Sequence, residues 1–400
     1  RCSRDWSSDV CSSDLGFFPA FAGGWLISNE KFMTESALSQ IISNLKLRAS
    51  LGWVGNDKSN DRFIFLQDFS NAGGYTFGTG NNYYNGIRQG DIANKVVTWE
   101  VARKFNIGFE SEFFNGLFGL NVDLFGEFRN NILTNIDAVK PEYVGAGFKV
   151  ANIGETSNNG IEIELRHNKK VNRNFSYNIR ANFTYNRNKV LKKADPLGLL
   201  PYQKEEGYPI GTPLMYTHLG YFNSYEEIWN SPSQLAVHNG IPSNVEVVPG
   251  DLKFLDFNND GVINRDDAYR QGYGTVPELQ YGVTVGGNYK AFDFSFLLQG
   301  SAHSLFMKQW EIMWAFSNND NVFAKHNYYW APEIADAAEF TRFYGKSWVN
   351  NERYYSTYEA GSGTYIRLKN IEMGYTLPSS ISRKLLMSSA RIYLSSNNKI

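Results

Sequence analysis

Apolar and polar residues alternate with a period of two through much of the chain, the pattern of a strand with one apolar and one polar face. Phe175, Tyr177, Ile179, Ala181, Phe183 and Tyr185 fall on one side of an extended segment, and Ser176, Asn178, Arg180, Asn182, Thr184 and Asn186 on the other. Ile161, Ile163 and Leu165 alternate with Glu162, Glu164 and Arg166, and Leu120, Val122 and Leu124 with Asn121 and Asp123. Phe292, Phe294, Phe296 and Leu298 alternate with Asp293, Ser295 and Gln299, which predicts Phe294 on an outward face near mid-membrane and Ser295 on a polar one. The longer runs reach roughly 10 to 14 residues, beyond the usual globular strand of about 5 or 6. A tilted strand crossing a bilayer needs about 9–11.

The pattern predicts ten spanning strands, at 16–27, 44–54, 100–114, 117–131, 153–168, 173–187, 278–290, 291–302, 364–376 and 390–398. Asn115-Gly116 is a tight hairpin signal, and the links at Lys169–Asn172 and Lys290-Ala291 are equally short. The links at 55–99, 132–152, 188–277 and 303–363 are long and all fall at the same ends of the strands. Short turns at one end and long loops at the other is the layout of an outer-membrane barrel. The predicted fold is therefore all-β: an antiparallel transmembrane β-barrel, partial, with 188–277 and 303–363 as long extracellular loops. The links 28–43 and 378–389 are longer than that layout favours.

Composition sharpens this picture at three points. The 400 residues carry 39 Lys and Arg against 40 Asp and Glu, a formal net charge of −1 that leaves no basic surplus for bulk nucleic-acid or anionic-membrane binding. Aromatic residues make up 16% of the chain, with 36 glycines, a mixture that favours strands and turns. The only two cysteines, Cys2 and Cys11, lie in an opening segment, 1–15, whose Asp5–Leu15 reads like an in-frame translation of a sequencing adapter. That segment is set apart from the fold, and 16–400 is taken as the native part. Without those cysteines no disulfide or thiolate chemistry is available.

The sharpest local motif runs from Asp256 to Asp267. Asp256, Asn258 and Asp260 precede Gly261, Val262 offers its carbonyl, and Asp267 closes a twelve-residue loop of calcium-binding pattern. All-oxygen donors predict a structural Ca²⁺ site rather than a catalytic one; Asp267 stands where the helical calcium loops carry Glu. An Asp- and Asn-rich turn without metal is the plainer alternative. Trp310, Trp314, Tyr328, Tyr329 and Trp330 cluster in the 303–363 loop, where flat rings stack on sugars or dock a partner, or else pack within the loop. Glu162 and Glu164 share a polar face with Arg166 and are expected in a salt-bridge lattice rather than in acid–base work. The five histidines show no metal or triad spacing, and no nucleophile elbow, phosphate loop or zinc-protease motif is present.

These motifs occur in family order. Leu45-Lys-Leu-Arg48 through Gly52, Gly55-Asn56, Trp99-Glu100 and Asn106 through Glu110 resemble segments of SusC/RagA-type TonB-dependent outer-membrane transporters. Asn152-Ile-Gly154 with Asn159-Gly160-Ile-Glu162, Pro249-Gly-Asp251 before Asp256, Tyr281-Gly282, Gln299-Gly300, and Tyr365 through Pro378 complete the likeness. The resemblance implies ten strands of a roughly 22-stranded barrel around an N-terminal plug, with the plug, the TonB-contacting segment and the last strands outside this chain. It further implies, in place of an enzyme, an importer of oligosaccharides or peptides in the outer membrane of a Gram-negative bacterium. TonB would energise it and a SusD-like surface lipoprotein would cap it. The rival expectations are a secreted, soluble β-rich protein that binds or cleaves glycans, and a siderophore-type receptor. The soluble rival requires the apolar strand faces to pack against a second sheet.

Overall fold

A computed structural model describes residues 16–58, 64–80, 82–136, 139, 143, 145–234, 237–238, 241–242, 247–308, 312–316, 322–343 and 355–399. The adapter-like segment and Trp310 lie outside these residues. The chain forms two compact units, one of residues 1–198, 278–301 and 365–400, the other of 199–277 and 302–364.

The first unit is built on a ten-stranded antiparallel sheet: β1 (Ala20–Leu26), β2 (Ile42–Asn56), β3 (Glu100–Phe113), β4 (Phe118–Thr134), β5 (Ala151–Lys170), β6 (Phe175–Lys192), β7 (Leu279–Tyr289), β8 (Phe292–Ala302), β9 (Tyr365–Thr376) and β10 (Arg391–Lys399). Each strand lies beside its neighbour in sequence, and β1 and β10 form the two edges of the sheet. All ten predicted strands are therefore present. The structure extends β4 to Thr134 and β6 to Lys192, past the point where clean alternation ends, because ladder pairing continues there.

Turn chemistry accounts for the short links. Phe114, Asn115 and Gly116 all take positive φ between β3 and β4, as the Asn-Gly signal demands. The Asn172 side chain accepts the N–H groups of Asn174 and Phe175 at 2.8 and 2.9 Å, an Asx turn between β5 and β6. The two longer links hold short helices, Lys31–Thr34 and Ser379–Lys384, the latter begun by Pro378.

Register carries the alternation across the sheet. Leu47, Phe109, Val122, Ile163, Phe183 and Tyr281 stand opposite one another from β2 to β7 as one apolar row. The row beside it, Lys46, Glu110, Asn121, Glu164 and Asn182, points to the other face. The apolar face is not a core: Phe21, Trp25, Leu51, Phe105, Ile107, Leu124, Leu165, Phe292, Met373 and Ile392 on it are all exposed. The sequence did not announce a hairpin, Phe69–Phe77 paired with Asn82–Gln89, inside the 55–99 link.

The second unit has its own core. Leu252, Phe254, Ile263, Met313, Trp314, Phe340 and Tyr358 are buried together, with Tyr216 and Tyr221 against them. Short ladders hold it: Leu214–Met215 with Tyr269–Arg270, His218–Tyr221 with Leu252–Phe254, and Leu305–Met307 with Ala360–Ser362. Both long links predicted as loops thus contribute to one packed body.

Candidate functional site

The polar face of the sheet is a lattice of ion pairs. Arg48 reaches Glu110 at 2.8 Å and Asp123 at 2.6 Å, and Lys104 reaches Glu127 at 3.0 Å. Glu164 lies 3.6 Å from Arg166 and 3.5 Å from Arg180. Arg391 binds both Asp293 and Glu372. These groups are partly solvated, so each pair adds only about 0–1 kcal/mol. Their effect is a polar face on which acidic and basic side chains interleave. Glu162 stands opposite Asp123 across β4 and β5, whereas Glu164 sits within the ion-pair lattice.

In the second unit, the loop from Asp256 to Asp267 closes on its own backbone. Asp256 accepts the N–H of Asp260 at 3.2 Å and of Gly261 at 2.8 Å, and Asp260 accepts that of Val262 at 2.9 Å. The Asn258 amide donates to Asp260 at 3.0 Å. Asp267 is fully buried and accepts the N–H groups of Phe257 and Asn264 at 2.9 and 2.7 Å. Asn259 and Gly261 supply the left-handed residues, with φ of 59° and 84°. The loop is anchored on both sides. Ile263 enters the hydrophobic core, and Phe257 stacks on Tyr269 with ring centroids 4.3 Å apart. Burial raises the Asp267 carboxyl above the usual carboxylate range, and the charge of Asp256 adds to this, against the amide hydrogen bonds.

The donor chemistry of Asp256, Asn258, Asp260, Val262 and Asp267 suits a hard cation: every donor is oxygen, and a carboxylate oxygen that accepts one N–H keeps a second acceptor position. Among the described residues, however, no three His, Cys, Asp or Glu side chains are gathered at metal-holding distance. The carboxylates of Asp256, Asp260 and Asp267 are met in this arrangement by backbone N–H groups.

The aromatic cluster divides. Trp314 and Trp330, 7% and 6% exposed, are buried with their faces covered by protein. The Trp330 indole donates to Asn223 at 3.0 Å, and Trp314 packs against Tyr358 with centroids 5.7 Å apart. Tyr329 stacks on Phe343 at 4.2 Å, while Tyr328 is 55% exposed. Around the buried rings sit groups the sequence did not single out. Glu359 is almost fully buried, accepts the Trp314 indole N–H and is pushed up to about 7 by desolvation. Tyr221 is raised to about 12 by burial, and burial lowers His218 between Tyr221 and Tyr358. The Pro249-Gly250-Asp251 motif has a packing cause: Gly250 takes a φ of +92°, and a Cβ there would lie 2.6 Å from Trp330 and 2.8 Å from Arg342. Arg342 in turn pairs with the buried Asp251 at 3.3 Å.

No protein-family model matches the chain. Among curated proteins it is 28% identical over 408 residues to TonB-dependent receptor P3 of Formosa agariphila, covering 99% of this chain and 38% of that protein. It is 26% identical over 373 residues to TonB-dependent receptor SusC of Bacteroides thetaiotaomicron, covering 90% and 34%. Among solved structures the RagAB peptide importer in its open-open state aligns with a TM-score of 0.70 at 22% identity, over 96% of this chain and 39% of that one. The chain thus spans under two fifths of the length of the proteins it matches.

Proposed function

We propose, from a chain that is related in sequence to TonB-dependent receptors of the SusC/RagA type and has the fold of their barrels, that it forms part of the wall of an outer-membrane nutrient importer. The observation that carries this reading is the sheet's apolar face. Ten strands present exposed Phe, Leu, Ile and Trp rows on one side and an ion-pair lattice on the other. In water such a continuous apolar surface is an aggregation hazard; in a bilayer it is the lipid face, and the charged face lines the passage. The soluble rival needed a second sheet over these rows, and among the described residues nothing buries them.

The cargo on this reading is an oligosaccharide or a peptide, since one relative is a SusC and one structural neighbour a peptide importer. TonB would supply the energy, and a SusD-like surface lipoprotein would cap the external side. Asp256–Asp267 would take Ca²⁺ to stiffen the second unit for that contact, and Tyr328, exposed among the described cluster residues, would meet cargo or partner. No acid–base or nucleophilic machinery is assigned: the relatives carry the names of receptors and an importer, none of an enzyme.

Fractionation of the full-length protein tests the reading. It should remain in outer membranes and need detergent for release, and its deletion should abolish growth on one class of oligosaccharide or peptide. Release in a soluble form would refute it. A growth defect confined to iron limitation would favour the siderophore-type alternative.

A further inference from the structure

We infer that the short-turn end of the sheet holds an anionic glycerophospholipid, its acyl chain on the apolar face and its phosphate on a basic rim. The inference rests on the membrane reading above, and it concerns which lipid the protein selects.

The first observation is a depression of about 420 Å³ on the sheet, whose lining includes Phe118, Leu120, Leu165, His167, Ile179 and Ala181. These residues stand opposite one another in register on β4, β5 and β6, so they share the apolar face. The second is charge. Along β5 the apolar row Ile161, Ile163 and Leu165 continues through His167 to Lys169 on that face, and Lys170 and Arg173 follow at once. Lys290 lies in another short link and Arg383 and Lys384 in the longer link 378–389; 114–117, 169–174, 289–292 and 377–390 contain no Asp or Glu, and the acidic side chains of the links at this end, Glu30 and Glu35, fall in 28–43, between β1 and β2 and away from β5. The third is an unused polar atom. His167 Nε2 meets the Tyr177 hydroxyl at 3.1 Å, and its ring packs on Phe118 at 4.4 Å. Its Nδ1, buried on this apolar face, has no hydrogen-bond partner.

Apolar groove, polar ring nitrogen and lysine cluster occur in the order acyl chain, ester, phosphate. Lysine stems lie along apolar surface while the ammonium reaches the interface, and each basic residue at a membrane surface strengthens anionic lipid binding about fivefold. Short turns mark the end of a barrel that meets the inner leaflet of the outer membrane, so the occupant is a phosphatidylglycerol-type lipid rather than lipid A of the opposite leaflet.

Native mass spectrometry of the full-length protein, purified from outer membranes and offered equal amounts of phosphatidylglycerol, phosphatidylethanolamine and lipid A, tests this. Phosphatidylglycerol should be retained selectively, and added salt should weaken it. The triple variant Lys169→Ala, Lys170→Ala, Arg173→Ala should lose up to roughly a hundredfold in retention. Ala181→Phe, which fills the groove without changing charge, should also lower it, while Lys169→Arg with Lys170→Arg should retain it. Heat-modifiable gel migration confirms that each variant is folded. Equal retention of the two phospholipids, preference for lipid A, a second copy of the protein in place of lipid, or indifference to both the triple variant and Ala181→Phe would overturn the inference. Absence of the protein from outer membranes would instead overturn the import reading on which it rests.

Discussion

Arginine placed at successive positions of β8 should cost stability in proportion to depth and side. Phe292 and Tyr375, with centroids 4.7 Å apart, mark the aromatic edge of the apolar band at the turn end. A strand rises about 3.4 Å per residue, and a tilt near 45° leaves about 2.4 Å of depth per residue. Phe294 then lies only about 5 Å inside the edge, and Phe296 about 10 Å, close to the middle of a band about 25 Å tall. The alternation alone puts Phe294 near mid-membrane; counted from the aromatic edge, the middle of the band falls between Phe296 and Leu298. Phe296→Arg, opposite Ile371, should therefore cost about 2–4 kcal/mol, and Phe294→Arg about 1–2, because a guanidinium there can still reach the interface. Ser295→Arg faces Glu372 across the ladder, on the ion-pair side, and should stay within about 1 kcal/mol of the parent. Urea unfolding of the full-length protein in lipid vesicles gives all three values. Equal costs at 295 and 296, or costs that ignore depth, would refute the assignment of faces.

Three further outcomes follow from the second unit. Glu359 has a folded-state pKa of about 7 against 4.5 when unfolded, so its contribution is fully present below pH 4.5 and is lost as pH rises to about 7. Hydrogen exchange at Leu252–Phe254, corrected for intrinsic rate, should show a loss of up to about 3 kcal/mol over that window; Glu359→Gln should flatten it, and an unchanged slope in that variant would exclude Glu359 as the cause. Gly250→Ala forces a Cβ against Trp330 and Arg342 at positive φ and should cost well over about 1 kcal/mol, measured by the same exchange; a neutral effect would mean the motif has another role. Calorimetry on chelator-stripped full-length protein should give a calcium-specific heat that Asp260→Ala removes, with the barrel still assembled; no heat, or an unchanged titration, would end the calcium proposal.

The sheet was legible because a one-residue slip in any strand would turn its apolar set to the polar face. Phe175 to Tyr185 and Phe292 to Leu298 therefore announce both strand and side. The hairpin at Phe69–Gln89 was missed although Gly78 and Gly80 stand between the aromatic runs Tyr75, Phe77 and Tyr83, Tyr84; its Ala72-Gly73-Gly74 step breaks the alternation where the register shifts. The second unit was not legible in detail. Its core joins segments far apart in sequence, as in the Trp330–Asn223 bond across 107 positions, and no local period says which face of a loop ring will be covered. Trp314 and Trp330 could therefore be read as exposed platforms or as packing; in the structure both are buried. The loop at Asp256–Asp267 was legible as a turn because Gly261 and the spaced Asp and Asn residues act locally; its amide-satisfied carboxylates were not, since Asx hydrogen bonds and metal ligation draw on the same side chains.

The claim that one face of the sheet meets lipid is tested most directly by a nitroxide scan of β8 in the full-length protein, reconstituted in a bilayer, from position 292 to 299. Collision with oxygen, which concentrates in hydrocarbon, should peak at 292, 294, 296 and 298. Collision with a water-soluble nickel chelate should peak at 293, 295 and 299, in opposite phase. Oxygen and nickel profiles in the same phase, or nickel access at 294 and 296 equal to that at 295, would contradict the account.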